Sequence, residues 1–147
     1  MATICVIYHS DTGNTHTLAR RLAEGAELDG VEVRLLPADR LDLDAAAAAD
    51  ALAVGSPDYF NYVAGSVKTF FDRILHDERF RDKPYVAFGT TGAAGEVVAA
   101  VEGLAGACGL RRVAPGLAVR GRPDEAEAYK AYELGKALAG AVAEAGG

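Results

Sequence analysis

The chain has 147 residues, 50% of them hydrophobic and 24% charged, with a formal net charge of −6, the profile of one globular domain that can bury a core without staples. An acidic balance argues against nucleic-acid binding, which needs a basic face, and no apolar run approaches the roughly 18–20 residues of a membrane span. Two cysteines, Cys5 and Cys108, form no C-x-x-C motif and read as buried thiols in a reducing, cytoplasmic setting.

Thr3 to Tyr8 is a short, β-branched, nearly continuous apolar run, the pattern of a strand covered on both faces. It is too short for a signal peptide and follows no basic region. After a polar turn containing Gly13, the residues Leu18, Leu22 and Ala26 recur at helical spacing from Thr15 to about Leu28. Val31 to Leu36 alternates and predicts a second, more exposed strand. Asp39 to Asp50 reads as a short helix or helical turn, whose alanine run, Ala45 to Ala49, has high helix propensity but little to pack with. Ala51 to Ser56 is a third strand, ending at the turn Pro57-Asp58. Val63 to His76 places Val67, Phe70, Phe71, Ile74 and Leu75 on one helical face. Tyr85 to Gly89 is a fourth strand and Glu96 to Gly109 a helix. Arg112 to Val119 is the last strand, interrupted by Pro115 and Gly116, which puts it at an edge or a bulge. Pro123 suits the first turn of a final helix running to about Glu144.

Five strands alternating with helices imply a parallel sheet covered on both faces, and right-handed crossovers reduce this to a doubly wound α/β fold. Ligands in such folds bind beyond the carboxyl ends of the strands, at the switch point. The loops after Tyr8, Ser56 and Gly89 are therefore expected to build the site.

The first of these loops, His9 to His16, holds Ser10, Thr12 and Thr15 hydroxyls, the Asn14 amide and Gly13. Glycine allows a tight turn with converging N–H groups, and a helix N-terminus adds orphan donors and partial positive charge. Three hydroxyls aimed at one point suit a phosphate monoester held by neutral donors, because the loop has no Lys or Arg. It is neither a Walker A motif nor a dinucleotide fingerprint. An ordinary helix cap by Ser10, Thr12 or Asn14 is the simpler reading of the same residues.

Ser10-Asp11-Thr12-Gly13-Asn14-Thr15 resembles the phosphate loop of the flavodoxin superfamily, Ser/Thr-x-Thr-Gly-x-Thr. The resemblance implies a flavodoxin-like, doubly wound, five-stranded parallel sheet of order 2-1-3-4-5 in a single domain over residues 1–147. It also implies that Ser10, Thr12, Gly13, Asn14 and Thr15 surround the phosphate of flavin mononucleotide (FMN), with Asp11, in the free position of the motif, turned to solvent so that its carboxylate does not repel the anion. Gly55 to Tyr62, followed by Lys68-Thr69-Phe70-Phe71-Asp72, is similar to the corresponding segment of flavodoxin-like NAD(P)H:quinone oxidoreductases of the WrbA type. By that analogy Pro57, Asp58, Tyr59, Phe60 and Asn61 pass the ribityl chain and flavin edge, and Tyr59, Phe60 or Tyr62 flanks the ring in place of the tryptophan this chain lacks. Asn61 stands where that pattern has glycine, and no glycine lies between Ser56 and Ala64. The peptide flip by which many flavodoxins follow the flavin's redox state is therefore disfavoured. In the third loop, Thr90, Thr91, Gly92 and Gly95 are expected to bring backbone N–H groups to the flavin pyrimidine.

No catalytic residue or metal site is expected, since FMN would supply the chemistry. NAD(P)H is a candidate donor, and a redox partner protein or a small acceptor such as a quinone a candidate partner; nucleic acid and membrane are not expected, and a homo-oligomer is compatible with the sequence. Arg120 and Arg122 read as a solvated pair rather than as contacts for the phosphate of NADPH, and His9 and His16 as solvated side chains. Short length favours an electron carrier, whereas the second loop favours two-electron transfer by a reductase. The alternative from another class is a binding or regulatory domain of the same fold that holds no flavin. A phosphoacceptor receiver fits poorly, because Ser56 and Pro57 stand where it needs an aspartate.

Overall fold

A computed structural model describes residues 1–27, 30–92 and 96–146. Six all-parallel strand segments form the sheet: β1 (Thr3–Tyr8), β2 (Glu32–Pro37), β3 (Ala51–Pro57), β4 (Pro84–Thr91), β5 (Arg111–Arg112) and β6 (Leu117–Arg120). The order is β2-β1-β3-β4-β5, and β6 also pairs with β4. The two short segments are successive stretches of one edge strand, broken around Pro115 and Gly116 as the sequence indicated. A side chain at Gly116 would meet a Val98 methyl at 2.5 Å and the Ala87 carbonyl at 3.0 Å. The five-stranded order 2-1-3-4-5 is therefore present, with its fifth position interrupted.

The helices are α1 (Asn14–Glu27), α2 (Leu43–Ala48), α3 (Gly65–Ile74), α4 (Val97–Ala107) and α5 (Glu125–Gly146). Alternation along the strands divides the core in two. Ile4, Val6, Ala51, Ala53, Val86 and Phe88 point towards α1 and α5, where Leu18, Leu22, Leu134 and Leu138 close the layer. Cys5, Ile7, Leu52, Val54 and Ala87 point the other way, to Val67, Phe70 and Phe71 of α3 and Val97 and Val101 of α4. Both cysteines are buried and free, and burial raises both thiol pKa values.

Local chemistry sets the helix ends. Asp124 caps α5 by accepting from the Glu127 N–H at 2.8 Å, while the Glu127 carboxylate accepts from the Asp124 N–H at 3.1 Å, a reciprocal capping box. Pro123 accordingly lies just before the cap rather than in the first turn. The alanine run also differs from expectation. Ala46 and Ala49 are fully buried, and Ala45 and Ala47 pack against the same core. Asp42 caps the Ala45 N–H at 3.1 Å, and the Lys83 ammonium donates to the carbonyls of Ala47 and Ala49. Small residues let α2 lie close to the sheet edge while a lysine more than thirty positions away satisfies its C-terminal carbonyls.

Candidate functional site at the carboxyl ends of the strands

Gly13 adopts φ +95°, and a Cβ there would touch nothing. Its role is therefore conformational: it turns the chain from β1 into α1. The Ser10 hydroxyl oxygen accepts from the N–H groups of Gly13 at 3.1 Å and His16 at 3.2 Å, closing the loop on itself. That engages the Ser10 lone pairs and leaves its proton available to donate. The cap expected of Ser10 is thus present, and it is the same hydrogen-bond pair that closes the turn.

Thr12 is exposed and Asn14 half-buried, whereas Thr15 is almost fully buried. The Thr15 hydroxyl shares a hydrogen bond of 2.8 Å with the hydroxyl of Thr90, at the end of β4. The three hydroxyls expected to converge on one point are therefore divided between two tasks. Thr12 faces outward, and Thr15 ties the first loop to the third.

The second loop is pinned at both ends. The buried Ser56 hydroxyl accepts from the Ala64 N–H and donates to the Pro57 carbonyl, each at 2.8 Å. The Asp58 N–H donates to the Thr90 carbonyl at 2.8 Å, and its carboxylate accepts from the Thr91 hydroxyl at 2.9 Å. Between them, Tyr59 and Tyr62 exchange both backbone hydrogen bonds, at 2.9 and 3.0 Å. Phe60 and Asn61 form the tip with φ +59° and +61°, the arrangement of a two-residue type I′ turn. Asparagine tolerates that conformation, but phenylalanine is unusual there.

Asp11 faces solvent, as expected, yet it has partners. Its carboxylate accepts from the Tyr59 hydroxyl and, at 3.1 Å, pairs with His9 Nε2; His9 Nδ1 meets Ser66 Oγ at 2.7 Å. The chain Ser66–His9–Asp11–Tyr59 ties the start of α3 to the first and second loops. His9 is thus held on both ring nitrogens rather than solvated, and His16 stacks on Tyr8 with ring centroids 5.3 Å apart. The Tyr59 and His9 hydrogen bonds hold the Asp11 carboxyl below its ordinary value. Burial first, then the bond to Asp11, pushes the Tyr59 phenol up to about 12.

Thr12, Asn14, Pro57, Asp58, Thr90, Thr91 and Gly92 line one groove of about 200 Å³. Gly121 joins them, with φ +70° and its N–H on the Thr91 carbonyl at 2.8 Å. Ser10, Asp11 and Gly13 instead face a separate cleft with His9, His16, Asp39 and Arg40. The aromatic tip does not line the groove: Phe60 is fully exposed, Tyr62 is exposed, and the Tyr59 hydroxyl is on Asp11. Gly95 lies outside the described residues. Gly121, in the β6–α5 turn, was missed as a wall of the groove; its sequence signal is a glycine directly after the last strand, one residue before Arg122 and two before Pro123.

The groove fits the expected cofactor in kind. Its first wall offers uncharged donors at a helix N-terminus, no cation lines it among the described residues, and its other walls approach as backbone and small side chains, which leaves room for a flat ring.

Comparison with known proteins agrees. The flavodoxin family model matches residues 6–135. The chain is 45% identical over 78 residues to a flavodoxin of Aquifex aeolicus, spanning 52% of this chain and 42% of that one. It is 32% identical over 144 residues to the type A flavoprotein fprA of Rhodobacter capsulatus, spanning 93% of this chain and 32% of that one. It thus spans about a third to two-fifths of these two relatives' lengths. An archaeal flavodoxin structure superposes with a TM-score of 0.91 at 26% identity, covering 96% of this chain and 99% of that one. No described helix is long and apolar enough to cross a membrane. Loop, sheet order and relatives agree: the chain belongs to the flavodoxin family.

Proposed function

We propose that the chain holds FMN with its phosphate at the opening turn of α1 and its ring between Pro57–Asp58 and Thr90–Gly92, and that it passes electrons between a donor and a separate acceptor. The bound flavin supplies the redox chemistry; the protein supplies binding, orientation and electrostatics. Thr12 and Asn14 offer the phosphate neutral donors, the Ser10 hydroxyl holds the turn that presents them, and Thr90 to Gly92 face the ring. Asp58, tied to Thr91, keeps the second and third loops at a fixed spacing. NAD(P)H is a candidate donor, and a redox partner protein or a quinone a candidate acceptor.

The observation that carries this reading is the shared groove, where Thr12 and Asn14 meet Pro57, Asp58 and Thr90 to Gly92. Purified protein is expected to be yellow and to retain FMN through gel filtration. The Thr12→Val, Thr15→Val double variant is expected to release it. Undiminished retention by that variant, or wild-type protein that stays colourless after incubation with FMN, sinks the reading and favours a flavin-free binding domain.

Within this function the turn at Phe60–Asn61 favours two-electron transfer. Both residues are left-handed, neither is glycine, and the Tyr59–Tyr62 hydrogen bonds clamp the turn from both sides. A peptide so held does not rotate cheaply to follow the flavin's charge state. An anaerobic redox titration is expected to show two-electron behaviour, and a strongly stabilised one-electron form overturns this reading in favour of a carrier.

A further inference from the structure

The phosphate loop contains no cation, and its one charged residue is Asp11. A phosphomonoester dianion held there by hydroxyls and N–H groups alone keeps most of its charge uncompensated. A cation lines a cleft that shares Thr12, Gly13 and Asn14 with this loop.

A second cleft, of about 400 Å³, continues from the groove around the outside of the loop. It shares Thr12 and Asn14 with the groove and adds Gly13, Thr17, Pro123 and Arg122. Among the described residues, Arg122 is the one cation lining either of these two cavities, while Arg40 lines the separate cleft faced by Ser10 and Asp11. Its position is fixed from both sides. Gly121 is bonded to Thr91, and two residues beyond Arg122 the capping box of Asp124 and Glu127 begins. The capping box also engages the carboxylates of Asp124 and Glu127, and among the described residues Arg122 has no ion-pair partner. Arg120, two residues earlier, lines neither cavity.

We propose that Arg122 is the phosphate-recognition cation of this site, contacting the 5′-phosphate of the flavin from the open side of the Thr12–Asn14 turn. A guanidinium presents paired N–H groups that match two oxygens of a phosphate. Arg122 thereby selects a phosphorylated flavin over the bare riboflavin. The inference rests on the reading that this loop holds the flavin phosphate. The solvated pair expected from sequence is split: Arg122 belongs to the site and Arg120 to the surface.

The test is titration of the flavin-free chain with FMN and with riboflavin, followed by flavin fluorescence, for wild type, Arg122→Ala, Arg122→Lys and Arg120→Ala. Arg122→Ala is expected to weaken FMN about tenfold, the scale of a lost charge-assisted contact, with riboflavin unchanged. Arg122→Lys is expected to recover part of the loss, and Arg120→Ala to match wild type. If wild type does not prefer FMN over riboflavin, the phosphate-loop reading fails and takes the proposal with it. If wild type prefers FMN and Arg122→Ala prefers it equally, the assignment of Arg122 alone is overturned. A last arm compares reduction of the FMN-loaded proteins by NADPH and NADH. A changed preference in Arg122→Ala with unchanged FMN affinity gives the cation to the nicotinamide nucleotide's phosphate instead, and equally overturns the proposal. Equal thermal stability of all four proteins is expected, since Arg122 and Arg120 are exposed.

Discussion

Thr15 at the start of α1 and Thr90 at the end of β4 share a buried hydrogen bond of 2.8 Å across 75 positions of sequence. It joins the first and third loops beneath the groove. Thr15→Val leaves the Thr90 hydroxyl buried without that partner, a loss of about 1–3 kcal/mol. Thr15→Ser keeps the hydroxyl and is expected to stay near wild type. Urea unfolding of the two variants checks this, and equal midpoints would show that the bond contributes nothing.

Helices α1 and α5 cross through two glycines. A methyl group at Gly25 would lie 2.0 Å from the Tyr132 carbonyl oxygen, and one at Gly135 would lie 1.9 Å from the Leu22 carbonyl oxygen. The obstacle is backbone, so the helices themselves must move apart. Gly25→Ala and Gly135→Ala are each expected to destabilise by about 1–3 kcal/mol, despite the better helix propensity of alanine. Thermal melting decides, and a rise in Tm for either variant contradicts the packing described.

The Asp11–Tyr59 link has two pH limits. The Asp11 pKa is lowered in the folded protein, so its contribution is present above the unfolded aspartate value and is lost as pH falls through the folded one. The Tyr59 pKa is raised to about 12, so its contribution is complete below the ordinary phenol value near 10 and disappears as pH rises from there through about 12. The link is intact across the neutral range and opens in strong acid or strong base. Tyrosinate absorbance is expected to show a late-titrating phenol that Tyr59→Phe removes. Its persistence in that variant assigns it elsewhere.

The left-handed tip carries strain in a bulky residue. Phe60→Gly relieves it and removes only an exposed side chain, so a gain of about 1 kcal/mol is expected from that position, partly offset by the freedom glycine brings to the unfolded chain. In FMN-loaded protein, Phe60→Gly with Asn61→Gly is expected to make the turn peptide mobile and to separate the two one-electron steps. Unchanged titration curves for this double variant mean that the turn does not govern the flavin.

Much of the fold was legible because its determinants are local. β1 reads as a strand covered on both faces because every position from Ile4 to Ile7 is buried, and the break at Pro115–Gly116 is written in residue types that cannot continue a ladder. The first loop was legible for a similar reason, since Gly13 and the hydroxyls around it specify one turn. What was misread depends on partners distant in sequence. Ala45 to Ala49 looked unpacked because the Lys83 ammonium and the core beneath it are invisible locally. His9 looked solvated because Ser66 lies 57 positions away. That the Tyr59 hydroxyl meets the Asp11 carboxylate and the turn carries Phe60 outward could not be read from the aromatic loop alone, because Asp11 lies 48 positions away. Gly121 reaches the groove through the pairing of β6 with β4 and its hydrogen bond to Thr91, neither of which is local in sequence.

The interrupted fifth position of the sheet also bears on behaviour between molecules. A parallel sheet ends in rows of unpaired N–H and C=O groups that invite a strand from another copy. Here the outer border offers two residues, then a stretch containing Pro115, then four more, so no continuous template exists on that side. The opposite border, β2, exposes the charged Glu32 and Arg34. Replacing Pro115 and restoring an unbroken border would therefore expose the chain to self-association at high concentration, a hazard its native sequence is built to avoid.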